Sequence, residues 1–194
     1  MPGFGVCCVL TLSSGSSSST NNTYLVQATT TTAGTYTYTL CPTNTDVCKL
    51  RIDFETFVTT AASTTAGIRG TCAADTFTVS NPTGTNPPLL CGTLTGQVCY
   101  LLRNYLNTQN RPLIHLLLSQ HMFVDTSSQC NDLTVVVSSS VTTTNREWSI
   151  KVTQIECSNA LLPPTGCLQY YTGTTGFMYN FGWQGSTVNG KHRK

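Results

Sequence analysis

The stretch Lys49-Leu50-Arg51-Ile52-Asp53-Phe54-Glu55 alternates apolar and charged residues without a break. Successive side chains of an extended strand point to opposite faces, so Leu50, Ile52 and Phe54 share one face and Lys49, Arg51, Asp53 and Glu55 the other. One face belongs to a core and the other to solvent. The same period of two groups Tyr36 with Tyr38 and Leu40, and Trp148 with Ile150 and Val152. β-rich segments recur at 23–27, 35–40, 47–57, 75–80, 133–138 and 147–156, set apart by clusters of Thr, Ser, Gly and Pro. That rhythm, with no helices to carry parallel crossovers, predicts an all-β sandwich of two sheets around an apolar interior. Residues 13–20 and 29–34 read as low-complexity linkers or loops.

Composition narrows the function classes. The 194 residues are enough for one full domain, or one domain plus a fragment. Charged residues make up 9%, against roughly 25% in an average soluble domain, while Ser and Thr supply about a quarter of the chain. This argues against a helical bundle, a coiled coil or a charged disordered tail. Net charge is +2, and like charges gather only at Lys191-His192-Arg193-Lys194, so no basic stripe exists to neutralise phosphates and nucleic acid is not expected as a partner. No apolar stretch approaches the roughly 18 residues of a membrane span. Ten cysteines indicate an oxidising, extracellular compartment. Met1-Pro2-Gly3-Phe4-Gly5 has neither the basic start nor the apolar core of a signal peptide, so the leader is expected to be missing from this chain.

Four cysteine-centred phrases stand out. The first is Cys41-Pro-Thr-Asn-Thr-Asp-Val-Cys48 running into Lys49-Leu-Arg-Ile-Asp-Phe54, followed by Cys72-Ala-Ala-Asp75-Thr-Phe-Thr-Val79 and by Pro87-Pro88-Leu-Leu-Cys91-Gly92. The last joins Ile150-Lys-Val-Thr-Gln-Ile-Glu-Cys157 to Leu162-Pro-Pro-Thr-Gly-Cys167-Leu-Gln-Tyr-Tyr171. Together they resemble the CUB-type domains of uncharacterised secreted arthropod proteins, over most of residues 5–183. The resemblance implies a disulfide-stabilised CUB-like jelly-roll sandwich over residues 1–156, with 157–194 as the truncated start of a second CUB-like β unit. It implies a Cys72–Cys91 disulfide. Cys41–Cys48 and Cys157–Cys167 are the next pairs expected, each closing a short loop worth up to about 3 kcal/mol. Free buried thiols are the alternative. Cys7, Cys8, Cys99 and Cys130 are then left over. The family's further pair, near Ser14 and Tyr36, is absent.

Many CUB domains hold calcium through a Glu after the "F..F" strand, the Asp of "CxxD" and a second Asp in a later turn. Only Asp75 matches; Thr59-Thr60 and Ser138-Ser139-Ser140 stand near the other two places. Calcium takes about six oxygen ligands with several carboxylates, so no calcium is expected, and Asp75 is left with a turn hydrogen bond.

Nothing in the sequence encodes a known catalytic constellation: there is no Gly-x-Ser-x-Gly elbow, HExxH helix or Gly-rich phosphate loop. His115 and His121, six apart, fit no zinc spacing, and neither a metal nor a cofactor is expected. Asp53 and Glu55 share their strand face with Lys49 and Arg51, which makes a surface charge ladder a better reading than an acid/base pair. Asn21-Asn22-Thr23 is the one Asn-x-Ser/Thr sequon without proline, and Asn21 is either a glycosylation acceptor or a chance match in a Thr-rich chain. Tyr170, Tyr171, Phe177, Tyr179, Phe181 and Trp183 either stack a ligand or fill the core of the next β unit.

Residues 98–120 break the pattern, reading as a broken apolar helix or a greasy loop. Removing them joins Gly96-Gln97 to His121-Met122-Phe123-Val124-Asp125, which restores the family's "GQHMYVD" phrase. Val-Cys can be encoded by GTATGT, and Leu-Leu-Ser-Gln by a pyrimidine tract followed by CAG. Translated intron is the expected reading of this stretch, and an amphipathic insertion facing a partner or membrane surface is the alternative. The end at Lys194 is likewise expected to be a truncation.

The resulting expectation is a secreted, non-catalytic binding module for an extracellular protein or glycan. The competing readings are a structural component of an extracellular matrix or coat, and an ancillary domain of a secreted protease.

Overall fold

The computed structural model describes residues 8–80, 86–95, 121–171, 180 and 181. Among them are nine strands and no helix: β1 (Leu10–Leu12), β2 (Ser17–Ser18), β3 (Thr23–Thr30), β4 (Gly34–Leu40), β5 (Val47–Val58), β6 (Thr76–Val79), β7 (His121–Asp125), β8 (Asn131–Val137) and β9 (Arg146–Glu156). They form a five-stranded sheet in the order β1-β3-β9-β5-β7 and a four-stranded sheet in the order β2-β4-β8-β6. The all-β, two-sheet expectation agrees with this arrangement. The apolar segment at 98–120 lies outside the described residues, as do Cys7, Cys99, His115, Phe177, Tyr179 and Trp183.

The core follows from alternation. Along β9 the buried residues recur every second position, so Trp148, Ile150 and Val152 point inward. They meet Tyr38 and Leu40 of β4 and Leu133, Val135 and Val137 of β8 in one apolar cluster. The Trp148 indole N–H donates to the Tyr38 hydroxyl at 2.9 Å, satisfying two buried polar atoms inside it. On β5 a strict period of two would turn Phe57 outward if Phe54 points in. A β-bulge between Phe54 and Thr56 resets the phase, and both rings reach the core. There they meet Phe77 of β6, all three rings edge-to-face with centroids 5.4 to 5.7 Å apart.

Residues 13–20, read as a low-complexity linker or loop, move the chain from one sheet to the other and add the two-residue β2. β1 runs parallel to β3 and β2 parallel to β4. The crossing turns at Gly15, whose φ of 82° suits a residue without Cβ.

The charged face of β5 is not uniformly wet. Lys49 and Asp53 are only 2% and 7% exposed. Residues beyond β9 fold back over that edge: Leu168 O accepts from Phe123 N, and Gly166 N donates to Asp125 Oδ2, both at 2.8 Å. Asp125 also pairs with the Lys49 ammonium, which is covered in consequence. Leu168 and Phe181 pack on the main core.

Three disulfides join described residues: Cys41–Cys130, Cys48–Cys157 and Cys72–Cys91. The expected pairs Cys41–Cys48 and Cys157–Cys167 are not formed. Sequence proximity misleads here because Cys41 directly follows β4 and Cys48 lies in β5, strands of different sheets. Leu40 pairs with Asn131 at the end of the β4–β8 ladder, so Cys41 and Cys130 follow directly beyond it, with Cα atoms 4.0 Å apart. Val47 pairs with Glu156, which brings Cys48 beside Cys157, Cα to Cα 4.9 Å. Cys167 keeps its thiol, which donates to Gln169 O at 3.0 Å, and Cys8 is an exposed free thiol.

The first two bridges span 89 and 109 residues and constrain the unfolded chain more than short loops would. Non-reducing peptide mapping is expected to recover these three pairs. Replacing Cys41 and Cys130 together by Ser should lower unfolding free energy by about 4 kcal/mol, read by chemical denaturation.

Candidate functional site

Two places bring together residues that the sequence brings to attention. The first is the buried end of the sandwich around Asp75. Asp75 precedes β6, and Arg146 opens β9 in phase with Trp148 and Ile150, so its long side chain runs between the sheets. Both residues are essentially solvent-free, at 1% and 0% exposure. Arg146 Nε donates to Asp75 Oδ2 at 2.8 Å and its Nη2 to Asp75 Oδ1 at 3.1 Å. The remaining lone pairs of the carboxylate accept from Thr60 N (2.8 Å) and Ser138 N (2.9 Å). The rest of the guanidinium reaches Thr144 O at 2.8 Å, Thr60 Oγ1 at 3.2 Å and Ser138 O at 3.5 Å. Such a pair persists in a dry interior only because nearly every donor and acceptor has a partner.

Burial by itself would raise the Asp75 carboxyl. The guanidinium and the Ser138 and Thr60 donors overcome that and hold it at about 2. Asp75, Thr60 and Ser138, positions weighed for a calcium site in the sequence, converge at this end of the sandwich. They do not fit the ion. One carboxylate is present, its oxygens are committed, and a fixed cation, the Arg146 guanidinium, already sits among the oxygens a metal would need. Among the described residues no cluster of three or more His, Cys, Asp or Glu side chains is arranged to hold a metal.

The second place is the outer face of the five-stranded sheet. Register aligns two rows across it. Tyr24, Lys151, Asp53 and His121 form one, and Thr153, Arg51 and Phe123 the next, extended to Asn22 by the Thr153 hydroxyl donating to Asn22 Oδ1 at 3.1 Å. Arg51 forks onto Asp53, with Nε at 3.1 and 3.0 Å from the two oxygens and Nη2 at 2.8 Å from Oδ1. The Lys151 ammonium lies 6.0 Å from the Tyr24 ring centroid. Asn22, Arg51, Asp53, Glu55, Lys151 and Thr153 line an open groove of about 370 Å³. On the β7 side the face is closed by rings: His121 lies 5.2 Å from Phe123 and 5.3 Å from Tyr171.

Asn21 is exposed beside this groove. Its amide is tied to β9, accepting from Gln154 N at 2.7 Å and donating to Gln154 O at 3.2 Å, while the sequon's Thr23 hydroxyl is buried and donates to Thr20 O. The aromatic set does not form one surface: Phe181 is in the core, whereas Tyr171 is 39% exposed over β7. Sequence reasoning missed Arg146, Lys151, Asn22 and Thr153. Arg146 had a readable signal, being a charge in phase with the core residues of its own strand. No protein-family model and no curated protein matches the chain.

Replacing Arg146 by Met leaves a buried carboxylate without its counter-charge and should cost about 3–5 kcal/mol in urea denaturation at pH 7. The acid response follows from Asp75. Its native pKa lies below the unfolded value of 3.8, so the stabilisation is complete above about pH 4 and disappears as pH falls through about 2. Wild type should lose about 2 kcal/mol over that interval that an Asp75→Asn variant, already destabilised at pH 7, does not lose.

Proposed function

We propose that this chain is a non-catalytic binding module that works outside the cell, on a CUB-like jelly-roll scaffold. The observation that carries the reading is the open outer groove, whose charged side chains stand on paired strands behind two cross-strand disulfides. Three disulfides are typical of extracellular proteins. Side chains on a stapled sheet lose little freedom on binding, so a modest contact area is enough for recognition. The charged groups also suit binding better than turnover. Arg51 is clamped on Asp53, which commits that carboxylate to an ion pair on the sheet. Asn21, exposed at the groove's margin, is the position that a glycan attached in the secretory pathway would occupy.

The test uses the full chain exported through an appended leader. Oxidised protein is expected to bind immobilised extracellular-matrix material saturably and to remain monomeric in sedimentation, with binding lost after reduction and alkylation. Concentration-dependent self-assembly without capture would instead favour the coat reading, and absence of saturable binding would remove the module reading. Glycopeptide mass spectrometry of the exported protein should place its N-linked sugar on Asn21.

A further inference from the structure

We infer that the outer groove takes a neutral, hydroxyl-rich ligand, a glycan, through Arg51, Glu55 and Lys151. This rests on the binding-module reading and names the ligand class for the same face.

Charge and hydrogen-bond type select the ligand. Arg51 and Lys151 supply two positive charges, and Asp53 and Glu55 two negative ones, so the groove's formal charge cancels. A phosphate or sulfate drawn to the cations would meet two carboxylates, and a cationic ligand drawn to the carboxylates would meet the guanidinium and the ammonium. Neither sign is favoured. An apolar ligand has no place either, because five of the six lining residues are charged or amide-bearing and the sixth is Thr153.

A sugar hydroxyl resolves the conflict because it donates and accepts at once. Neighbouring hydroxyls of one ring can donate a hydrogen bond to Glu55 while accepting one from Arg51, Lys151 or the Asn22 amide. The spacing suits this use. Lining residues sit about 4.8 Å apart across strands and about 6.8 Å apart along them, the scale of a single sugar ring.

The polar array is built before any ligand arrives. Arg51 is held by three contacts to Asp53, Thr153 by Asn22, and Lys151 by the Tyr24 ring. The bulge after Phe54 leaves Glu55 exposed at the groove. Held side chains suffer little entropy loss on binding, which matters for a shallow wet site where each hydrogen bond contributes little net.

The experiment is a titration of the ¹⁵N-labelled full chain with neutral disaccharides (chitobiose, cellobiose, mannobiose and lactose), with a sulfated heparin disaccharide as the anionic comparator and triglycine as the zwitterionic peptide comparator. At least one neutral disaccharide is expected to give saturable amide shifts at Asn22, Arg51, Asp53, Lys151 and Thr153, with a dissociation constant on the order of 1 mM. Glu55→Gln and Lys151→Met should each weaken it about fivefold, the loss of roughly one hydrogen bond. Their thermal unfolding should match wild type. Added salt should leave the affinity unchanged, as an uncharged ligand requires.

Silence with all four neutral sugars up to about 50 mM overturns the inference. So do shifts confined to other surfaces, or a groove that prefers the sulfated disaccharide or triglycine. If matrix capture persists while the sugars are silent, the ligand class is wrong and the module reading stands. If both are absent, both fall.

Discussion

The geometry of β9 constrains the rest of the molecule. It lies between β3 and β5 at the centre of the larger sheet, and its period of two assigns every residue from Arg146 to Glu156 to one side or the other. The inward set delivers the guanidinium to Asp75, the indole to Tyr38, and Ile150 and Val152 to the apolar cluster. The outward set delivers Lys151 and Thr153 to the groove. A slip of one residue would bury Lys151 and expel Trp148, so core and candidate binding face stand or fall together.

Charge is used differently on the two sides of that strand. Inside, an ion pair is enclosed by hydrogen bonds that occupy nearly all of its donors and acceptors, and its role is to fix the sandwich end where β6, β8 and β9 meet. A tethered guanidinium serves there as a permanent cation. Outside, charges of both signs stand in an open groove where water or a ligand can reach them, and a surface pair contributes little to stability, typically under about 1 kcal/mol. Their arrangement is more informative about recognition than about folding.

Much of the fold was legible because alternation is a local signal. Leu50, Ile52 and Phe54, Tyr38 and Leu40, and Trp148, Ile150 and Val152 all face inward as their spacing requires. The disulfides were less legible, since Cys41 and Cys48 are close in the chain yet belong to ladders whose partners lie 89 and 109 residues away. Phe57 faces inward through a bulge that no period-two rule foresees. The short β1 and β2 take their place from parallel pairing with β3 and β4 and carry little apolar pattern of their own. The groove was half visible: the β5 charge ladder is local, but Lys151, Thr153 and Asn22 join it only through cross-strand register.

Register of β9 is accordingly the most direct test. Interstrand nuclear Overhauser effects on the folded, oxidised chain should connect Lys151 with both Tyr24 on β3 and Asp53 on β5, and Ile150 with Leu25 and Phe54. Contacts displaced by one residue, joining Lys151 to Leu25 and Phe54, would turn the groove residues into the core and contradict the account.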